Sequence, residues 1–147
     1  MRARSRARGW ALQILYAWEM RDRSRSLADV LAEFVADRRI AEGSRDYLFR
    51  LVLATAEHLD AVDRALGECL TNWRLDRLSV IDRSILRLGA TEILFLQDVP
   101  PRVSIQEGIL LAEKYGTADS PRFVNGVLDA LMRQTHAHGA APHGETR

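Results

Sequence analysis

Ser79-Val80-Ile81-Asp82-Arg83-Ser84-Ile85-Leu86-Arg87-Leu88-Gly89-Ala90-Thr91-Glu92-Ile93-Leu94-Phe95-Leu96-Gln97 is apolar around most of its girth. On a helix, Ile81, Ile85, Leu88, Phe95 and Leu96 fall on one side, with Leu86 and Ile93 beside them. A helix without a wide polar face needs neighbours all round it, so this one is predicted at the centre of an all-helical molecule. Pro100-Pro101 ends it. Glu92 projects within the apolar stripe, and a carboxylate there must be paired or strongly hydrogen-bonded. It reads either as a catalytic acid or as a structural partner to an arginine, to Asn125 or to a helix N-terminus. No second catalytic group accompanies it, which favours the structural reading.

The flanking segments carry the same rhythm. Ala11, Ile14, Leu15 and Trp18 make the inward stripe of a first helix over about Arg6 to Met20. Arg21 to Ser26 is a polar connector. A second helix covers about Leu27 to Arg38, burying Val30, Leu31, Phe34 and Val35. Gly43-Ser44 breaks the chain, with Ser44 as N-cap of a long helix from Arg45 towards Leu70. Leu70 to Leu78 is ambiguous. After the central helix, Ser104 to Glu107 fits a capping box, although Pro101 can instead take the first helical position. That helix ends at Tyr115, with Gly116 as a left-handed C′ residue. Asp119-Ser120-Pro121 opens a last helix to about Gln134, burying Val124, Val127, Leu128 and Leu131. Strand-like alternation persists nowhere. The expected organisation is one helical domain, 1–134, and a disordered tail, 135–147.

With 147 residues the chain has room for one real core. Its single cysteine, Cys69, rules out an internal disulfide and a Cys-based zinc site, and fits a reducing cytoplasm. No apolar run reaches the roughly 20 residues of a membrane span. A signal peptide fails because Gln13 interrupts the apolar stretch and Glu19-Met20-Arg21-Asp22 follows it, while composition alone leaves an Arg-rich transit peptide open.

The catalytic search comes back nearly empty: no Gly-rich phosphate loop, no G-x-S-x-G and no H-E-x-x-H. Cys69 reads as a small core residue and His58 as an exposed or capping histidine. His136, His138 and His143 would bind metal only adventitiously. No cofactor and no metal site is expected.

Charge distribution is more telling than the net charge of +1. Arg2, Arg4, Arg6 and Arg8 fall in the first eight residues, and the first acid is Glu19. Such a cluster can make a polyanion footprint that net charge conceals. Tyr16 lies about 150° from the centre of the first helix's apolar stripe, so it points outward beside Gln13 and Arg6. Phe123 lies about 90° from the last helix's stripe, at its boundary, and Arg122 points further out. Exposed rings among arginines suit single-stranded nucleic acid, where cations hold phosphates and rings stack on bases. Scattered surface aromatics are also ordinary, so this arrangement alone leaves both readings open.

Further residues form a recognisable pattern. Arg6-Ala7-Arg8, Ala11, Gln13, Leu15-Tyr16 and Trp18 open it. Ile85-Leu86-Arg87-Leu88, Glu92, Asp98-Val99-Pro100, Val103, Ile105, Glu107, Leu111-Ala112 and Lys114-Tyr115-Gly116 continue it. Phe123-Val124-Asn125-Gly126-Val127-Leu128-Asp129 closes it as the most specific piece. In this order they resemble the NusB transcription antitermination family over about Arg4 to Leu131, while Ser24 to Trp73 matches in helical rhythm alone.

The resemblance implies an all-α fold of about six to seven helices in two packed bundles, and no enzymatic activity. It implies binding of the boxA element of nascent ribosomal RNA, as a single strand, together with ribosomal protein NusE in the RNA polymerase antitermination complex. By matching position it assigns Arg6 and Arg8, and more weakly Arg4, to the arginine-rich RNA-binding start. Tyr16 and Phe123 take its aromatic positions, Asp119 an acidic position beside them, and Arg122 a basic one. It assigns Asp82 to the protein partner. Two rival readings remain. One is a homodimeric interaction scaffold whose RNA face is masked. The other is the NusB-like domain of an RNA methyltransferase, which needs a following Rossmann-like domain.

Overall fold

The computed structural model describes residues 2–143, with side chains described through His136. Within them run seven α-helices and no strand: α1 (Arg2–Met20), α2 (Leu27–Ala36), α3 (Glu42–Glu57), α4 (Leu59–Cys69), α5 (Val80–Phe95), α6 (Pro101–Tyr115) and α7 (Ser120–His143). A short 3-10 turn at Leu75–Arg77 links α4 to α5. Helices α1 to α3 pack as one bundle and α4 to α7 as another. Helix α5 touches both, so the two bundles share one core.

The central position of α5 follows from its pattern. Ser79 caps it, its hydroxyl accepting the Asp82 N–H at 3.1 Å. Every residue from Arg83 to Ile93 is buried. Gly89 lets α7 approach, because a Cβ there would lie 2.7 Å from the Cδ1 of Leu128. Helix α1 ends in a turn where Asp22 and Arg23 both adopt the left-handed region (φ 54° and 59°). The Arg23 N–H returns to the Trp18 carbonyl at 3.0 Å, and its guanidinium lies 4.3 Å from the Trp18 ring.

Several boundaries differ from expectation. Helix α1 starts at Arg2 rather than Arg6, because nothing in Arg2 to Ser5 breaks a helix and Arg4 gains a tertiary partner. Helix α2 stops at Ala36. Gly43 and Ser44 lie in the first turn of α3, whose N-cap is Ala41, so Ser44 is a buried residue and not a cap. The long third helix divides at His58 into α3 and α4. There the imidazole stacks on Phe95 at 3.8 Å between ring centroids, a tertiary contact that no local pattern announces.

Helix α6 starts at Pro101, so Ser104 sits inside it with a buried hydroxyl instead of heading a capping box. Gly116 is not left-handed (φ −94°). Its requirement for glycine is steric: a Cβ would lie 2.5 Å from Ser120 Oγ and 2.9 Å from the Ala112 carbonyl oxygen. Helix α7 continues beyond Gln134 to His143, so the boundary drawn at 134 falls inside a helix. The Thr135 hydroxyl folds back on the Leu131 carbonyl at 2.9 Å, and no proline interrupts the run before Pro142. Residues 144–147 and the side chains of His138 and His143 lie outside the described residues.

Candidate nucleic-acid interface

A helix that starts at Arg2 divides the amino-terminal arginines between two faces. Residues 4 and 8 are one turn apart, as are 2 and 6, and the two pairs point in nearly opposite directions. Arg2 and Arg6 are exposed. Arg4 and Arg8 turn towards α3 and α5. Arg4 pairs with Asp98 at 3.2 Å and lies 4.5 Å from the Tyr47 ring centroid. Arg50 also binds Asp98, and that hydrogen bond, with help from Arg4, holds the Asp98 carboxyl well below its usual range.

Arg8 was expected on the RNA face, and its position corrects that expectation. It is 4% exposed. Its Nε donates to Glu92 Oε2 at 2.7 Å, and Nη1 lies 3.6 Å from Glu107. The Tyr47 hydroxyl donates to the same Glu92 oxygen at 2.5 Å. Glu92 is therefore buried with an arginine partner, as its place in the apolar stripe required. Burial, and then the neighbouring Glu92 charge, pushes the Tyr47 hydroxyl far above its ordinary pKa. The helix needed this arginine to neutralise a carboxylate, so it is not free for phosphate.

A second charged cluster fixes the other end of α1. Glu19 accepts from Arg83 at 2.8 Å and from Arg87 at 2.6 Å, and Arg87 also holds Asp63 of α4 at 2.8 Å. Burial pushes the Glu19 carboxyl up, but the hydrogen bonds from Arg83 and Arg87 outweigh it and leave its pKa lowered. Sequence reading did not identify this cluster. Its signal was present as two arginines on a helix otherwise apolar all round, each needing an acid.

The outward face of α1 carries Arg2, Arg6, Gly9, Gln13, Tyr16 and Met20 at spacings of three and four residues. Tyr16 is 41% exposed, as its wheel position predicts. Arg6, Gly9 and Gln13 form one wall of a groove of about 430 Å³. Leu110, Lys114 and Tyr115 of α6 form the other wall. Among the described residues, neither Arg6 nor Lys114 has an ion-pair partner.

The start of α7 borders this region. Asp82, half-buried at the start of α5, accepts from the Ser120 hydroxyl at 2.7 Å, and that hydroxyl accepts the Thr117 N–H at 3.0 Å. Ser120 therefore ties α7 to α5 instead of capping its own helix. Asp119 and Arg122 are exposed, and Phe123 is half-buried against the core. Tyr16 and Phe123 are not a ring pair. The helices that carry them both bond to the amino-terminal end of α5, α1 through Glu19–Arg83 and α7 through Ser120–Asp82.

Nothing in the described side chains suggests catalysis at Cys69. Burial pushes its thiol up, away from the reactive thiolate, and it sits 3.4 Å from Gln134 Oε1. No cluster of metal-ligating side chains occurs among the described residues. No described helix is long and apolar enough to cross a membrane.

Comparison with known proteins agrees with this architecture. A transcription antitermination protein NusB of Trichlorobacter lovleyi is 41% identical over 131 residues, spanning 89% of this chain and 91% of its own length. The NusB structure of T. maritima superposes with a TM-score of 0.82 at 35% identity, covering 89% of this chain and 91% of that one. A chain from the crystal structure of antitermination factors NusB and NusE in complex with dsRNA superposes with a TM-score of 0.81 at 30% identity, covering 91% and 98%. The NusB family model matches residues 5–133, so this chain belongs to the NusB family.

Proposed function

We propose that this protein is a non-catalytic transcription antitermination factor of the cytoplasm. It binds the boxA element of nascent ribosomal RNA together with ribosomal protein NusE, within the RNA polymerase antitermination complex. The observation that carries the reading is the exposed strip of α1. Arg6, Gln13 and Tyr16 stand in line there beside the Lys114 side of the α6 groove, supplying positive charge, an amide and a ring on one surface. Arg6, Lys114 and Arg122 provide the salt-dependent attraction to phosphate. Tyr16 and Phe123 stack on unpaired bases, and Asp119 borders them. Arg4 contributes at the margin, since Asp98 already holds it. Arg8 acts through the core. Asp82 faces the protein partner, and NusE extends the RNA surface so that two weak sites act as one through effective concentration.

The test is a titration with a short single-stranded boxA-like RNA, with and without NusE, at several salt concentrations. Tyr16→Ala and Phe123→Ala each lower RNA affinity roughly ten-fold at fixed salt, the scale of one base stack, with unchanged circular dichroism. Unaltered affinity in both variants refutes stacking. Tighter binding to a duplex of the same sequence replaces it with recognition of helical shape. An RNA affinity that falls as protein concentration rises identifies the masked homodimer instead.

A further inference from the structure

Trp73 is the most exposed large aromatic of the chain's described residues, at 60%, and has no part in the proposed RNA contacts of α1 and α7. It stands in the irregular link between α4 and α5, next to Asn72. Its position is informative. Trp73 lines a cleft of about 300 Å³ whose opposite side is formed by Arg122, Phe123 and Gly126 of α7. Gly126 has no atom within 4 Å of where its Cβ would stand, so the floor of the cleft is open. Arg122 has no ion-pair partner among the described residues, and its charge is free at the cleft's edge.

We infer that the cleft between Trp73 and Phe123 is a second base-binding subsite, taking one unpaired nucleobase of the bound RNA against the Trp73 indole. The inference rests on the RNA-binding reading and extends it from the start of α7 to the α4–α5 link. The cleft's volume suits a single base. Two rings border it, and stacking tolerates any base because each has a π-face. The Asn72 amide, donor and acceptor together, stands beside the indole to meet a base edge. Arg122 holds the adjoining phosphate. The other occupant such a cleft would take is a side chain of a protein partner. The free arginine and the continuity with Phe123 favour RNA.

Tryptophan fluorescence reads this by difference: Trp18 is buried, Trp10 lines the α6 groove, and the part of the RNA-induced quenching that Trp73→Phe abolishes belongs to Trp73. Single-stranded RNAs shortened one nucleotide at a time from each end are titrated against the wild type, Trp73→Ala and Trp73→Phe, with NusE binding measured in parallel. In the wild type, removing one particular nucleotide lowers affinity roughly ten-fold. Trp73→Ala shows the ten-fold loss on the longer RNA and no such step on shortening. Trp73→Phe restores most of the affinity while losing the Trp73 share of the RNA-induced quenching. If Trp73→Ala binds every RNA as the wild type does, the subsite is overturned while the RNA-binding reading stands. If Trp73→Ala weakens NusE alone, the cleft belongs to the protein partner. If the wild type binds none of the RNAs, the underlying reading falls and the subsite with it.

Discussion

Arg6 and Arg8 differ by two positions and by everything that matters energetically. Arg6 is exposed without an ion-pair partner among the described residues, whereas Arg8 neutralises a carboxylate at 2% exposure. Arg8→Ala removes the ion-pair partner of the buried Glu92 and costs about 3–5 kcal/mol of stability by urea denaturation. Combining Arg8→Met with Glu92→Leu recovers part of that loss, limited by the Tyr47 hydroxyl left without its acceptor. Arg6→Ala leaves the urea midpoint unchanged and makes the logarithmic salt dependence of RNA affinity shallower by about 0.7. A stability loss in Arg6→Ala would reverse the assignment. Glu19 sets a pH limit at the same scale. Its folded pKa lies below the ordinary 4.5, so its stabilisation is complete above that value and is lost as pH falls through the folded value. Urea midpoints measured from pH 7 to 3 therefore fall on the acid side, and Glu19→Gln flattens that limb.

Elements meet here through small residues and single hydroxyls. The turn between α6 and α7 closes because Gly116 leaves room for Ser120, whose hydroxyl then reaches Asp82 of α5. Gly116→Ala must push Ser120 away and costs about 1–3 kcal/mol, read as a lowered thermal midpoint. It also loosens the start of α7, where Arg122 and Phe123 stand. An unchanged midpoint would mean the turn has space that the contact distances deny. The division of the long third helix at His58 belongs to the same scale. Its sequence runs on with helical rhythm, and only the stacking of His58 on Phe95 marks the joint. Capping patterns misled at Ser44 and Ser104 for one reason: a serine inside a first or second turn looks the same in sequence as one before it.

For the molecule as a whole, a net charge of +1 conceals an uneven pairing of its arginines. Glu92 and Glu19 pair inward with Arg8, Arg83 and Arg87, other acids pair with arginines at the surface, and Arg6, Lys114 and Arg122 are exposed with no ion-pair partner among the described residues. Helices α1 and α7 both bond to the amino-terminal end of α5, which makes Asp82 a junction between α5 and α7. Because it accepts from Ser120, Asp82→Lys disturbs the start of α7 and weakens both NusE and RNA. Asp82→Asn keeps an acceptor oxygen and weakens NusE more than RNA. Equal losses in Asp82→Asn, by titration of each ligand alone, would remove Asp82 from the protein interface.

The sequence by itself determined that the chain is helical, that α5 lies at the centre, that Tyr16 points outward and that Glu92 is buried with a partner. Each follows from periodicity and from the cost of desolvating charge, which act on near neighbours along the chain. Only the tertiary structure decided which arginine answers Glu92, which ones are left exposed without an ion-pair partner among the described residues, and that Trp73 and Phe123 line one cleft. Glu92 and Arg8 stand 84 positions apart. Their meeting depends on how two bundles pack across a shared helix, a relation that no local pattern encodes.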